Sequence, residues 1–157
     1  MLKLMPLLDY KAIQGYLGIR FKKRSLLNLA LTHSSYRHTQ NKKKESNETL
    51  EFLGDAVLEL IVREFLYNKY PDVQEGKLSE LKKKYTCTET LYRTGKRLHV
   101  GKFLIMDKGE ERTGGRNRPS NIAGCLEAII GALYLDRGLG YVGKFVRCIL
   151  LETRIVM

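Results

Sequence analysis

Apolar residues recur about every 3.6 positions from residue 47 to about residue 67, and this pattern constrains the fold more than any other feature of the chain. A period that is sustained over several turns is typical of an amphipathic helix with one face buried in a core. Asn47 is a residue type that favours the position just before a helix. We therefore predict a long helix from residue 47 to about residue 67. Its apolar positions are Leu50, Leu53, Val57, Leu60, Ile61 and Phe65.

The rest of the chain is also predicted to be mainly helical, with breaks at proline and glycine residues. Segments 36–46 and 107–119 are polar and are predicted to be loops, and segment 100–106 is a candidate extended run. Ser120 is expected to cap the helix that follows it. Neither an internal repeat nor strand alternation is present, so we expect one all-α domain over residues 1–157. The further predicted helices cover 7–17, 26–31, 75–85, 89–98, 121–135 and 141–153.

The charge of the chain favours a polyanionic partner. Lys and Arg outnumber Asp and Glu by 28 to 17, and the formal charge of +11 attracts nucleic acid through counterion release. A basic surface without such a partner explains the charge alone equally well. No stretch approaches the run of about 20 apolar residues that a membrane span requires, so we expect no membrane partner. The three cysteines lack metal or redox spacing, which predicts a reducing compartment, the cytoplasm, and buried thiols.

Three carboxylates share one face at the start of the predicted long helix. Glu48, Glu51 and Asp55 stand at i, i+3 and i+7, which at about 100° per residue is a narrow face. A divalent cation would relieve their mutual repulsion, and Mg²⁺ prefers carboxylate oxygens and water as ligands. Such sites serve phosphodiester cleavage. On spacing alone, a solvated acidic helix start that complements the helix dipole is the commoner explanation.

The sequence around these carboxylates resembles the signature of the ribonuclease III family. The string NETLEFLGDAVLEL, which begins at Asn47, is similar to the family pattern N-E-R-L-E-F-L-G-D, with Thr49 in place of the usual arginine. The resemblance continues through LALTHSSY, YPDVQEGKLSELK and NIAGCLEAIIGALYLD, and so spans nearly the whole chain. It implies an all-helical endonuclease domain that forms a homodimer and holds double-stranded RNA in a valley between two metal-binding acidic clusters. No part of the chain resembles the double-stranded RNA-binding domain that typical members also carry.

The resemblance assigns roles to five acidic residues. Glu51 and Asp55 match metal-binding and catalytic carboxylates of the family, and Glu48 matches the first acidic residue of the signature. Glu75 matches an auxiliary acidic position. Glu127 matches a second essential glutamate, which is both a metal ligand and catalytic in the family. From its surroundings alone, Glu127 is a single acid at the edge of a buried helix, although an ionised carboxylate there is costly unless it is paired or bound to metal.

Gly124 is the important departure from the family pattern. Family members have an aspartate at this position, so that two ligands three residues apart share one helix face. Glycine supplies no ligand and costs a helix about 1 kcal/mol relative to alanine. Cys125 is a poor substitute, because Mg²⁺ prefers oxygen and the next residue points about 100° away. Water can fill the position, and a lower metal affinity is the expected consequence.

A basic loop supplies candidate contacts with RNA. The cations Lys108, Arg112, Arg116 and Arg118 lie in a glycine-rich segment that lacks large apolar residues. Duplex RNA is recognised through its shape, phosphates and 2′-hydroxyls, so cations without interleaved aromatic residues suit a duplex better than a single strand. The lysines at 82–84 are further candidates. For each of these side chains, the alternative is an ordinary solvated surface cation.

Three functions are compatible with these residues. The preferred hypothesis is an endoribonuclease that cleaves double-stranded RNA to 5′-phosphate and 3′-hydroxyl ends. In this hypothesis Glu51 and Glu127 hold Mg²⁺, or Mn²⁺ in its place, and Asp55 helps to position the attacking water. The alternative is a catalytically impaired module of the same family that binds structured RNA, which Gly124 favours. A helical protein-binding domain without affinity for RNA ranks third.

Overall fold

Helices dominate the computed structural model, which describes residues 9–38 and 46–152. Across these two ranges no strand is formed, and one isolated parallel bridge joins Thr32 to Ile105. The all-α prediction is therefore confirmed. The helices are α1 (Tyr10–Leu17), α2 (Arg24–Ala30), α3 (Ser34–His38), α4 (Glu48–Lys69), α5 (Glu75–Thr86), α6 (Thr88–Arg97), α7 (Val100–Phe103), α8 (Lys108–Arg112), α9 (Pro119–Arg137) and α10 (Leu139–Val146). A 3₁₀ turn at Gly115–Asn117 precedes α9, and a π-helical segment at Arg147–Leu151 follows α10.

The ends of two helices depend on local chemistry that the apolar period does not report. Asn47 does precede α4, but its side chain makes no capping hydrogen bond. The prediction that Ser120 caps α9 was wrong, because Arg118 is the N-cap residue and Pro119 stands in the first turn. Proline is well suited to that turn, where its missing N–H would have no intrahelical partner.

The connecting segments contain more helix than the sequence predicted. Segment 100–106 is not an extended run: it begins with the helical turn α7, and Ile105 alone joins the bridge to Thr32. Segment 107–119 contains α8, which the Asp107 carboxylate caps by accepting a hydrogen bond from the N–H of Glu110 at 2.7 Å. The predicted loop 36–46 begins inside α3, and residues 39–45 lie outside the described part of the chain. Short capped helices of this kind carry too few apolar residues to show a period.

The cysteines only partly follow the prediction of buried thiols. Cys125 is buried, and its thiol donates to the carbonyl oxygen of Ala30 at 3.4 Å. Cys87 and Cys148 are exposed, so the prediction was wrong for these two residues. Among the residues that the structure describes, no helix is both long and apolar enough to cross a membrane.

The central element of the fold is α9. From Ile122 to Leu133 every residue of this helix except Glu127 is buried. The long helix α4 packs along α9, and α2, α6 and α10 pack against its other sides. A helix that is enclosed in this way is apolar around most of its circumference, which explains its weak amphipathic pattern. The exception at Glu127 marks the place where the core opens towards solvent.

Two glycines allow the backbones of α4 and α9 to approach each other. A Cβ atom on Gly54 would lie 1.8 Å from the carbonyl oxygen of Glu127, and one on Gly131 would lie 2.3 Å from the carbonyl oxygen of Leu50. Real Cβ atoms do not approach oxygen so closely, so only glycine fits at either position. The crossing therefore fixes the acidic start of α4 against the segment of α9 that carries Glu127.

Candidate active site

Carboxylates from both long helices meet at this crossing. Burial is the main cause that raises the pKa of Glu127 to about 7, and the negative charges of Asp55 and then Glu51 add to it. Burial also raises the pKa of Glu51, and the charge of Glu48 is the next cause. Because the charges of Glu48 and Asp55 act on Glu51, and those of Asp55 and Glu51 act on Glu127, the four groups form one electrostatic unit. We call Glu48, Glu51, Asp55 and Glu127 the acidic cluster.

The start of α4 is held in place from the preceding segment. Ser46 and Asn47 are buried, and the backbone N–H of Asn47 donates to the carbonyl oxygen of Thr32 at 2.8 Å. The hydroxyl of Ser46 donates to Oε2 of Glu48 at 2.8 Å. The first bond fixes the backbone at the start of α4, and the second fixes the carboxylate of Glu48. The orientation of the acidic face is therefore set by the segment that precedes the helix.

His33 is a residue near the site that the sequence did not single out. Its positive charge, when protonated, lowers the pKa of Glu51 and so opposes the effect of burial. Its ring atom Nδ1 lies 2.9 Å from the hydroxyl of Ser35, and its backbone N–H donates to the carbonyl oxygen of Ile105. Histidine spacing gave no signal, but His33 lies within the LTHSSY string that resembles the family.

Gly124 leaves a space on α9 that the side chain of Glu51 fills. A Cβ atom on Gly124 would lie 2.6 Å from Oε2 and 2.8 Å from Cδ of Glu51. The carboxylate of Glu51 therefore rests directly against the backbone of α9, where an aspartate side chain would begin. An aspartate at this position would require Glu51 to move, and the flexible end of a glutamate can do so at low cost.

The donor chemistry of the cluster suits Mg²⁺, although it does not form a closed metal cage. Within the described ranges, no three His, Cys, Asp or Glu side chains converge into a metal centre. Mg²⁺ is commonly held by only one or two carboxylates, with water and substrate phosphates completing its octahedron. No ion pair between described residues involves Glu51, Asp55 or Glu127. Of these three, Glu51 and Glu127 are partly buried, and partly buried carboxylates without an ion pair are the groups that a bound cation would stabilise most.

Glu75 lies apart from the acidic cluster of its own subunit. It lines a pocket with Leu66 and Tyr67, and its carboxylate accepts a hydrogen bond from the Ser79 hydroxyl at 2.6 Å. Tyr67 follows Asp55 by twelve positions on α4, a rise of about 18 Å. Within one chain, Glu75 therefore lies too far from the acidic cluster to play the auxiliary role that the resemblance implies.

Glu59 continues the acidic face along α4, but it is neutralised. Its carboxylate pairs with Arg63 at 3.0 Å and with Lys82 at 2.5 Å. The hydrogen bond from Lys82 is the main cause that lowers the pKa of Glu59. Lys82, one of the candidate RNA contacts, thus has an acidic partner in the fold.

The basic loop divides into two kinds of cation. Arg116 pairs with Glu111 at 2.6 Å and donates to the carbonyl oxygen of Leu104 at 2.7 Å. Arg118 pairs with Glu110 and donates to the hydroxyl of Thr113. These two arginines stabilise the loop from within. In contrast, the exposed side chains at Lys108 and Arg112 make no hydrogen bond or ion pair with any residue that the structure describes.

One face of α4 presents apolar side chains to solvent. Phe52 is 83% exposed, Leu60 is 52% exposed and Tyr67 is 72% exposed. At about 100° per residue these three positions fall within 80° of one another around the helix. At the far end of this face, Tyr67 borders an apolar pocket of about 160 Å³, which Leu66, Leu78 and Glu75 also line. An exposed aromatic side chain and an apolar pocket thus lie at opposite ends of one helix face.

Sequence comparison places these features in a family. Residues 23–153 match the family model described as Ribonuclease-III-like. Ribonuclease 3 of Bacillus cytotoxicus is 49% identical over 139 residues, which are 88% of this chain and 57% of that protein. Ribonuclease 3 of Clostridium botulinum is 45% identical over 137 residues, which are 87% of this chain and 59% of that protein. The chain thus spans somewhat more than half the length of the curated relatives it matches.

Structural comparison agrees with the sequence comparison. The crystal structure of the nuclease domain of ribonuclease III from Campylobacter jejuni superposes with a TM-score of 0.86 at 35% identity, covering 95% of this chain and 98% of that one. A second structure of the Campylobacter domain, described as flexible in a region involved in dimer formation, gives a TM-score of 0.82 at 36% identity. It covers 90% of this chain and 98% of that one.

Proposed function

The chain belongs to the Ribonuclease-III-like family, and from that premise we propose that it is a metal-dependent endoribonuclease domain that cleaves double-stranded RNA to 5′-phosphate and 3′-hydroxyl ends. The observation that carries the proposal is the position of the Glu51 carboxylate against the backbone of α9 at Gly124, three residues before Glu127. The charges of Asp55 and Glu51 also contribute to the pKa of about 7 at Glu127. Burial and repulsion from neighbouring carboxylates disfavour the ionised forms of Glu51 and Glu127, and a bound cation would relieve both effects.

Glu51 and Glu127 are the residues that would hold Mg²⁺, or Mn²⁺ in its place. Bound there, the cation supplies an activated water and neutralises charge on the phosphate that is cleaved. The charge of Asp55 contributes to the raised pKa of Glu127, which supports a role for Asp55 in accepting a hydrogen bond from the attacking water. Ser46 holds Glu48 at the edge of the cluster through its hydroxyl.

A homodimer is the assembly that the exposed face of α4 supports. A cavity of about 150 Å³ can enclose a benzene ring, so the pocket of about 160 Å³ beside Tyr67 has room for one aromatic side chain. Two-fold packing of α4 against its copy would seat Phe52 of each subunit in the pocket of the other, which makes the contact self-complementary. Glu75 of the partner subunit lines that pocket and would then lie next to Phe52 and Glu51. This arrangement gives Glu75 an auxiliary acidic role across the interface.

Duplex RNA is the substrate that the charge of the chain supports. The formal charge of +11 favours a polyanion, and Lys108 and Arg112 offer cations without an acidic partner in the described structure. Arg116 and Arg118 support the shape of their loop and contribute less to contact with phosphate. The cytoplasm remains the predicted location.

Cleavage of a long duplex RNA in Mg²⁺ or Mn²⁺ tests the proposal. Glu127→Gln keeps the size of the side chain and removes the ligand charge, so we expect cleavage to fall by at least about 100-fold while duplex binding in a chelator stays within about threefold. Glu89→Gln, at an exposed ion pair with Arg93, is the matched control and should cleave as the natural chain does. Undiminished cleavage by Glu127→Gln would contradict the assignment of the site.

The second candidate function is an RNA-binding module whose catalysis has lapsed, and Gly124 is the observation that favours it. Gly124→Asp restores the carboxylate of the family pattern, and it displaces the end of Glu51 from the backbone of α9. If the natural chain binds duplex RNA but does not cut it, and Gly124→Asp cuts it, the chain is an impaired enzyme. If the natural chain cuts it, this alternative is eliminated.

A further inference from the structure

Most of the excess positive charge lies in one stretch that precedes the acidic cluster. Between Asp9 and Glu45 the sequence contains nine Lys and Arg residues and no Asp or Glu, so this stretch carries +9 of the formal +11. Four of these cations stand in residues 20–24, which comprise the end of the connection between α1 and α2 and the first residue of α2. We call residues 20–24 the basic segment. None of its residues belongs to the acidic cluster or to the basic loop before α9.

The basic segment is held rigidly, although it is a connection between helices. Four consecutive backbone N–H groups donate to side chains from α1, α9 and α10. The acceptors are Tyr141 Oη for Arg20 (3.2 Å), Gln14 Oε1 for Phe21 (2.7 Å), and Asp136 Oδ2 and Oδ1 for Lys22 (2.7 Å) and Lys23 (3.0 Å). Because these bonds use only the backbone of the segment, its cationic side chains take no part in holding its shape.

Two of these cations, Arg20 and Arg24, line an open cleft beside the segment. The cleft has a volume of about 630 Å³ and is lined by the cations Lys11, Arg20 and Arg24 and by the rings of Tyr10 and Phe21. The guanidinium of Arg24 lies 5.2 Å from the centre of the Tyr10 ring. Among described residues, no carboxylate pairs with any of the three cations.

The basic segment is anchored on a different face of α9 from the one that carries Glu127. Asp136, which anchors the basic segment, follows Glu127 by nine positions on α9. Nine residues correspond to about 900° of rotation and a rise of about 14 Å, so the two side chains leave the helix on opposite faces. A ligand in the cleft therefore does not compete with a phosphate at the acidic cluster.

We infer that the basic segment and its cleft bind the phosphate backbone of RNA, at a part of the molecule separate from the part that is cleaved. This inference rests on the proposed function in taking RNA as the ligand. Because the backbone of the segment is already ordered, binding of phosphates costs only the rotamer freedom of the cationic side chains and does not require a loop to be ordered. An open cleft that continues into a linear run of cations suits a chain of phosphates better than one small anion. Aromatic rings at its edge can also stack on an unpaired base.

The test compares two triple variants of the full chain with the same loss of charge. Arg20→Gln with Lys22→Gln and Lys23→Gln removes cations from the basic segment and leaves its backbone hydrogen bonds in place. The control neutralises three cations that already have acidic partners. It combines Lys77→Gln, Arg93→Gln and Arg147→Gln, whose partners are Glu80, Glu89 and Glu64. Equal melting temperatures would show that both variants are folded.

Affinity for a long structured RNA is measured by fluorescence anisotropy over a series of salt concentrations, with a chelator present so that no cleavage occurs. Each phosphate contact contributes about 0.7 to 0.9 to the slope of log affinity against log salt. We expect the slope of the basic-segment variant to be smaller by about two and its affinity to fall about tenfold or more at 0.1 M salt. The control slope should change by less than about 0.5.

Equal slopes for the natural chain and the basic-segment variant would overturn the inference, and so would an equal loss in both variants, which would indicate net charge alone. Calorimetric titration with inorganic phosphate and with a mononucleotide distinguishes a site for small phosphate ligands from a site for RNA. The inference is also overturned if phosphate or the mononucleotide binds the natural chain but not the basic-segment variant, while the salt slope for RNA is the same for both. Because the assay excludes cleavage, a failure of the proposed catalytic function leaves this result independent.

Discussion

Replacing Glu127 by glutamine should stabilise the chain at high pH when no divalent cation is present. Burial and the charges of Asp55 and Glu51 raise the pKa of Glu127 from 4.5 to about 7, so the folded chain binds a proton more tightly than the unfolded chain does. The resulting destabilisation is absent below about pH 4.5, grows as the pH rises towards 7 and is complete above that pH. Glutamine has a similar size and never ionises, so the variant escapes this cost.

The magnitude follows from the size of the pKa change. One pKa unit corresponds to about 1.4 kcal/mol, so a change from 4.5 to about 7 sets an upper limit of about 3.4 kcal/mol. Glu127 retains some contact with solvent, which screens both the burial cost and the repulsion from neighbouring carboxylates. We therefore expect Glu127→Gln to raise the free energy of unfolding by about 1–2 kcal/mol at pH 8, and by less than about 0.5 kcal/mol at pH 4.5.

Urea denaturation in a chelator at the two pH values measures this difference. Addition of Mg²⁺ at pH 8 should stabilise the natural chain more than the variant, because a cation that binds only the folded state adds to its stability. Glu89→Gln, at an exposed ion pair, should change the free energy of unfolding by less than about 1 kcal/mol at either pH. A gain from Glu127→Gln that is the same at both pH values would refute the reasoning, since it could not come from ionisation of Glu127.

Three further substitutions test the packing around the site. In thermal denaturation, Gly54→Ala should lower the stability by at least about 3 kcal/mol or prevent folding, because its Cβ would collide with the backbone of α9. The control Gly143→Ala, which has open space around it in α10, should be neutral or stabilising. Phe52→Ala should shift a dimer towards monomer in analytical ultracentrifugation without lowering the melting temperature of the monomer; an unchanged dimer would exclude the proposed interface. In urea denaturation, Arg116→Ala should lower the free energy of unfolding by about 1–2 kcal/mol, because its hydrogen bonds are lost. The control Arg112→Ala should lower it by less than about 0.5 kcal/mol. Equal effects would show that the loop does not depend on Arg116.

The apolar period on α4 predicted the helix and most of its buried face. Leu50, Val57 and Ile61 are buried as the period indicates. Leu60 belongs to the same pattern but is half exposed, because the period fixes an angular stripe and not the part of it that other helices of the chain cover. The starts of α8 and α9 were harder to predict from the apolar period. Asp107 caps α8 through a single hydrogen bond, and Pro119 suits the first turn of α9 because it lacks an N–H group; neither effect changes the pattern of hydrophobicity.

The sequence alone determined the all-helical class, the family and the acidic positions on α4, because these features depend on the local spacing of residues and on short motifs. Only the tertiary structure decided that Glu127 is partly buried and electrostatically coupled to Asp55 and Glu51, that the carboxylate of Glu51 fills the space beside Gly124, and that Arg116 bonds within its own loop. The physical reason is that burial and electrostatic coupling depend on which backbones approach each other. Here that approach is set by glycines at a helix crossing, far apart in the chain.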